Sequence, residues 1–189
     1  MTVAAPQDFR FTRDQYYRMS DMGFFQGRRV ELIEGEIIQM PAQKNPHALS
    51  LTLSDYRIRA AFDGGFFVRV QLPFRVGDLS EPEPDIAVIV GDPRDYRDHP
   101  DQAALLVEVA DTTLDFDRKR KGPLYAASGV ADYWIVNLID RCVEVYRDPA
   151  ADPVGGDFRY ASVRTYFSHE SIAPLAKPSA LVAVKDLLP

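Results

Sequence analysis

Two short apolar runs, Ile86 to Val90 and Leu105 to Ala110 (the second interrupted only by Glu108), stand out in a chain whose other apolar positions mostly alternate or recur at helical spacing. Runs of this length with polar flanks suit strands buried on both faces, so these two are expected at the centre of a sheet. Ahead of them, Thr12-Arg13-Asp14-Gln15 has the form of a capping box and predicts a helix from Arg13 to about Asp21, ended by Gly23. Val30 to Ile33 and Glu36 to Met40 are β-prone runs separated by Glu34-Gly35, the signature of a tight hairpin that Pro41 closes. Asn45-Pro46 reads as an N-cap followed by Pro at the first helical position. Leu49, Leu53, Tyr56 and Ala60 then recur at helical spacing up to Gly64-Gly65. Val68, Val70 and Leu72 alternate as a third strand ending near Pro73.

Beyond the second apolar run a helix is expected from about Leu114 to Ser128, with Gly129 at its C-cap. Gly122-Pro123 lies in its middle, so either the helix kinks there or Pro123 opens its regular part. Asp132 to Asn137 reads as a strand that turns at Ile139-Asp140-Arg141 into Cys142 to Tyr146, a second hairpin. Asp148 to Asp157 is a Pro/Gly/Asp loop, Phe158 to Phe167 another strand, and Ala180 to Leu188 a terminal element of either type. Two hairpins, a central sheet and two or three helices make a mixed α/β or α+β domain, with the hairpins extending the sheet outward. At 189 residues the chain is expected to form one domain, with residues 1–10 as a flexible N-terminus.

Against this pattern one position is anomalous. Glu108 sits in the middle of Leu105-Leu106-Val107-Glu108-Val109-Ala110, where a carboxylate is costly unless a cation, a metal or a proton answers it. Glu81-Pro82-Glu83-Pro84-Asp85 leads into the first apolar run, and Arg118-Lys119-Arg120-Lys121 follows the second. An acid at one strand mouth, an acid inside the next strand and then lysine is the pattern a metal-dependent phosphodiesterase needs. Mg²⁺ prefers oxygen and commonly takes one or two carboxylates, leaving water and substrate phosphate to complete its octahedron.

Composition changes this picture little. A net charge of -6 argues against a basic nucleic-acid-binding module, but an acidic metal site contributes negative charge that its cation offsets. The single cysteine, Cys142, rules out an internal disulfide and suits a reducing cytoplasm. No signal-like segment opens the chain and no 18 apolar residues run together, so neither export nor a membrane span is expected.

Five segments together resemble the Uma family of restriction-endonuclease-like proteins. Val30-Glu31-Leu32-Ile33-Glu34-Gly35-Glu36 is similar to its YELIDGE hairpin, Pro84-Asp85-Ile86 to its PDI segment, and Leu106-Val107-Glu108-Val109 to its VVEV strand. Asp117, Lys121 and Tyr125 match its D…K…Y helix, and Gly129-Val130 through Tyr133-Trp134-Ile135-Val136 its GVPEYWIV run. The resemblance implies the PD-(D/E)XK nuclease fold, with Mg²⁺ or Mn²⁺ held by Asp85 and Glu108, nucleic acid (DNA foremost) as substrate, and pairing into homodimers. It also implies that Lys121 replaces the lysine expected two residues after Glu108, where Ala110 stands, and that Glu31 supplies a further carboxylate. Lys119 competes with Lys121 for that role. Asp111-Thr112 and Asn137 depart from the family's pattern, as does Gly122-Pro123 directly after Lys121.

Blander readings accompany each residue. Glu108 and Lys121 alone would make a structural pair, and Asp117, four residues before Lys121, an ordinary helix-surface partner. Glu31 is equally an alternating hairpin residue, and His47 fits a helix N-terminal turn better than a site. Arg57, Arg59 and Arg69 form either a solvated or a phosphate-contacting face, and His99 and His169 show no metal spacing. Tyr125 and Trp134 read as core residues. The rivals to a nuclease are therefore a non-catalytic nucleic-acid-binding module and a structural domain, each keeping the same fold.

Overall fold

The computed structural model describes residues 8–152 and 156–189. Residues 1–7 of the expected N-terminal tail and 153–155 of the expected Asp148–Asp157 loop lie outside them. The capping box forms as the sequence predicts: Thr12 accepts from the Gln15 amide and Gln15 answers, starting α1 (Arg13–Asp21). The first hairpin pairs β1 (Val30–Ile33) with β2 (Glu36–Gln39) across Glu34 and Gly35, at φ 51° and 78°. Two successive left-handed residues give the turn whose twist matches the strands. A Cβ on Gly35 would come within 2.6 Å of the Arg10 Cβ, so glycine is required there.

Then follow α2 (Asn45–Ala61), β3 (Phe66–Val70), β4 (Ile86–Val90) and β5 (Leu105–Ala110). A broken helix of α3 (Leu114–Phe116), a π-helical turn (Asp117–Lys121) and α4 (Gly122–Ala127) leads to β6 (Asp132–Asn137), β7 (Cys142–Ala151) and β8 (Phe158–Phe167). Six strands form one mixed sheet in the order β3-β4-β5-β6-β7-β8, antiparallel except for the parallel pair β5–β6. β5 and β6, joined by the broken helix, form its centre. A two-stranded sheet of β9 (Ser171–Ile172) and β10 (Val182–Ala183) and a short 3₁₀ turn end the chain. This is a mixed α+β fold with helices against the faces of the central sheet.

The alternation of side chains along β5 divides the core. Leu105, Val107 and Val109 join the apolar cluster that includes Ile58 of α2 and the C-terminal Val184 and Leu187. Leu106 and Ala110 join the opposite cluster, with Tyr125 and Ala126 of α4. Glu108 keeps the same phase as Leu106 and Ala110, so it faces the broken helix.

Four expectations are corrected. The first hairpin does not extend the central sheet. It forms its own two-stranded sheet, and a bridge between Leu32 and Glu81 joins it to the segment that precedes β4. The N-cap of α2 is Lys44, with Asn45 already helical. The row Leu49, Leu53, Tyr56, Ala60 is not the face that α2 buries, since Leu49 and Tyr56 are exposed while Ser50, Leu51, Ser54 and Ile58 are buried. Serine is tolerated in that face because the Ser50 hydroxyl donates to the Leu187 carbonyl at 2.7 Å. Finally, β7 continues through Asp148 to Ala151, where a loop was expected. Ser50→Ala removes the bond that pins the C-terminal segment to α2, and a loss of about 1–2 kcal/mol is expected in urea unfolding.

Candidate active site

Glu108 meets its partners because of the π turn. Its wider i→i+5 spacing, seen in the Gly122 amide bonded to the Asp117 carbonyl, brings both Asp117 and Lys121 to the buried side. Pro123, which has no N–H to give, falls in the first turn of α4, so the helical path continues past it. Lys121 Nζ lies 3.0 Å from Glu108 Oε1 and reaches Glu31 at 3.3 Å (Oε1) and 3.0 Å (Oε2). The Tyr125 hydroxyl donates to the same Glu108 oxygen at 2.8 Å. Lys119 is exposed and paired with Asp115, so it takes no part.

Asp85 enters through the register of β4 on β5. With Ile86 opposite Val107, the Asp85 carboxylate accepts the Val109 amide at 2.8 Å, and the Asp85 amide lies 3.3 Å from Glu108 Oε2. Gln71, at φ 50° just beyond β3, donates to Asp85 Oδ1 at 2.9 Å, and His47 Nε2 lies 3.2 Å from Oδ2. Asp117 accepts from the Thr113 hydroxyl at 2.7 Å. All these acids, with Lys121 and His47, line one pocket of about 520 Å³ of empty space, part of it open to solvent. Met40 to Lys44 and Asp111 to Thr113 also line it.

The electrostatics follow from placing four carboxylates around one buried ammonium. Burial drives Glu108 up to about 8; Lys121 opposes the shift, and the charges of Asp117, Asp85 and Glu31 add to it. Asp117 is likewise pushed up to about 6 by burial, against the pull of Lys121. Burial alone would lower Lys121, but Glu108, Glu31 and Asp117 hold it above its ordinary value, so it stays charged. Burial acts to raise Asp85 too, yet His47, Gln71 and the Val109 amide keep it below the usual carboxylate range. Tyr125 is raised well above its usual range by burial and by Glu108, which keeps its hydroxyl a donor.

The structure thus brings together Asp85, Glu108, Lys121 and Glu31, the four residues singled out from the sequence. It corrects others. Asp117 is no surface partner but a buried member of the pocket. His47 serves Asp85 and not merely its own helix turn. Gln71 carries no sequence signal, because nothing about a polar residue after a strand predicts where it points. Asn137 closes the turn after β6 and donates to Glu144, away from this pocket. Arg57, Arg59 and Arg69 are each engaged, with Asp186, with Asp55, and with the Pro73 carbonyl and His99 ring.

The donor set suits a hard cation. Glu31 Oε2 is buried and answered only by the Lys121 ammonium at 3.0 Å, and Glu108 Oε2 has only the long contact to the Asp85 amide. Among the described residues no three His, Cys, Asp or Glu side chains form a ready metal cage. That is compatible with Mg²⁺, which relies on water and substrate oxygens beyond one or two carboxylates.

Among the described residues no helix is long and apolar enough to cross a membrane. No curated protein matches the chain. Among solved structures it is similar to a crystal structure described as a "putative nuclease belonging to DUF820" from Anabaena variabilis. The two share 18% identity over 94% of this chain and 97% of the other, with a TM-score of 0.71, a likeness of fold. The family described as "Uma2: Putative restriction endonuclease" matches residues 13–177, which include the first hairpin, Asp85, Glu108 and the whole broken helix. The chain belongs to the Uma2 family.

Proposed function

We propose that this protein is a nuclease that hydrolyses phosphodiester bonds with the help of Mg²⁺ or Mn²⁺ bound by Asp85 and Glu108. DNA as substrate, pairing into homodimers and a cytoplasmic setting belong to the same proposal, carried by the family's pattern and the lone cysteine. One observation supports it above the rest: an acid inside a central strand and an acid at the neighbouring strand mouth share a pocket with a buried lysine. A bound divalent cation polarises a phosphoryl oxygen and lowers the pKa of its water.

The chain's own residues do the remainder. Gln71, His47 and the Val109 amide fix the Asp85 carboxylate in one orientation. Tyr125 and Lys121 share Glu108 Oε1, which leaves Oε2 turned toward Asp85. Lys121, held charged between Glu31 and Glu108, supplies positive potential where negative charge develops on the phosphoryl group. Low exposure of the pocket floor strengthens each of these interactions.

A second reading has its own observation. The Lys121–Glu108–Glu31 cluster is already paired, as a purely structural module would have it. Thermal unfolding with and without Mg²⁺ or Mn²⁺ separates the two, because a cation that binds the native state raises its stability by mass action. At a concentration one hundred times Kd the gain is about 2.7 kcal/mol. The nuclease reading expects this gain in the parent and its loss in Glu108→Ala. No gain in the parent would favour the structural module.

A further inference from the structure

Six acidic side chains line the pocket, against Arg29, Lys44, Lys121 and His47. A phosphodiester nearing it meets repulsion, which cations on its border offset. One adjoining hollow has the composition for that.

This hollow, about 740 Å³ of space partly open to solvent, lies between the segment that precedes β1 and the connection from β2 to α2. Arg28, Arg29, Gln39, Gln43 and Gln71 line it, and among the described residues no carboxylate does. Two guanidinium groups and three amides make a donor-rich wall in a chain whose net charge is -6. Two observations place it against the active site. Arg29 and the run Met40 to Gln43 line both spaces. Gln71, whose side-chain amide donates to Asp85 Oδ1 at 2.9 Å, also forms part of the hollow's wall.

The charges of the hollow are available. Arg28 is exposed and joins no ion pair among the described residues, whereas Arg13, Arg118 and Arg147 are each tied to a carboxylate. Arg29 reaches Glu83 at 3.5 Å, too long for a hydrogen bond of full strength. A guanidinium without a close carboxylate keeps its fork of donors, and that fork matches two phosphate oxygens.

We propose that this hollow is a phosphate subsite. It holds a backbone phosphate flanking the one that is cut, with Arg28 and Arg29 as its charged ligands and Gln39 and Gln43 as further donors. Phosphate contacts carry no base information, so the subsite adds affinity evenly across sequences and sets the register of the strand over Asp85 and Glu108. The inference rests on the nuclease reading for the identity of the anion.

The test is fluorescence anisotropy in Ca²⁺ with three labelled probes: a twenty-base-pair DNA duplex, one of its strands alone, and the RNA strand of that sequence. For each probe that the parent binds, Arg28→Ala is expected to weaken affinity about fivefold or more. It should also lower the slope of log K against log salt by about one phosphate. Arg28→Lys is expected to keep that slope, because the charge is what releases the counterion. Lys185→Ala removes an exposed lysine that lines neither space and is expected to change neither quantity. Arg28 lies in solvent, so the unfolding temperature of its variants should match the parent's. A parent that binds, with Arg28→Ala matching Lys185→Ala in affinity and slope, would overturn the subsite and leave the nuclease reading standing. A parent that binds none of the three probes would remove nucleic acid from the account, and the subsite with it.

Discussion

Lys121→Met is expected to destabilise the protein by about 3–5 kcal/mol at pH 8, because removing one member of a buried ion cluster leaves the others unanswered. Among the described residues Lys121 is the sole buried ammonium facing Glu108, Glu31 and Asp117, and Met fills similar volume without its charge. The defect should shrink as pH falls. Glu108 already holds its proton up to about 8 and Asp117 up to about 6, and loss of the lysine moves both higher. The folded state then binds more protons than the unfolded chain from about pH 4 upward, so stability falls as pH rises through that window. Urea unfolding at pH 5 and pH 8 checks this. An equal loss at both values would contradict the view that Lys121 acts by neutralising these carboxylates.

Glu108→Gln should separate stability from activity. The amide keeps the shape of Glu108 and an oxygen for Lys121 and Tyr125, while one of the crowded negative charges disappears. Stability is therefore expected to stay within about 1 kcal/mol of the parent or to rise, as follows when a functional charge that burial disfavours is removed. Metal-dependent cleavage is expected to fall by about 100-fold or more, since Glu108 is the carboxylate that faces Asp85 across the strand pair. A variant that unfolds easily yet keeps its activity would reverse both expectations.

The two strands that carry the site were legible in the sequence for a physical reason. A buried strand must be apolar throughout, so Glu108 was conspicuous by its cost and Asp85 by its place at a strand mouth. The α2 face was not legible, because Ser50 and Ser54 are buried where one hydroxyl finds a carbonyl of the distant C-terminal segment, and periodicity records no such partner. Gly122-Pro123 signalled a break in the helix, but not that the break would take the form of a π turn carrying Asp117 and Lys121 inward. The choice of Lys121 over Lys119 came from family resemblance, since spacing alone suits either. Gln71 and His47 reach Asp85 from elements far along the chain, a convergence that only tertiary packing creates.

The proposed function makes Asp85 and Glu108 a metal-dependent nuclease site. Its most direct test is a nicking and cleavage assay with Mg²⁺ and with Mn²⁺, beside an Asp85→Ala protein purified identically. Supercoiled plasmid DNA serves as substrate. The account predicts cleavage by the parent that needs the divalent cation and disappears in Asp85→Ala. No cleavage by the parent in either metal, or equal cleavage by both proteins, would contradict it.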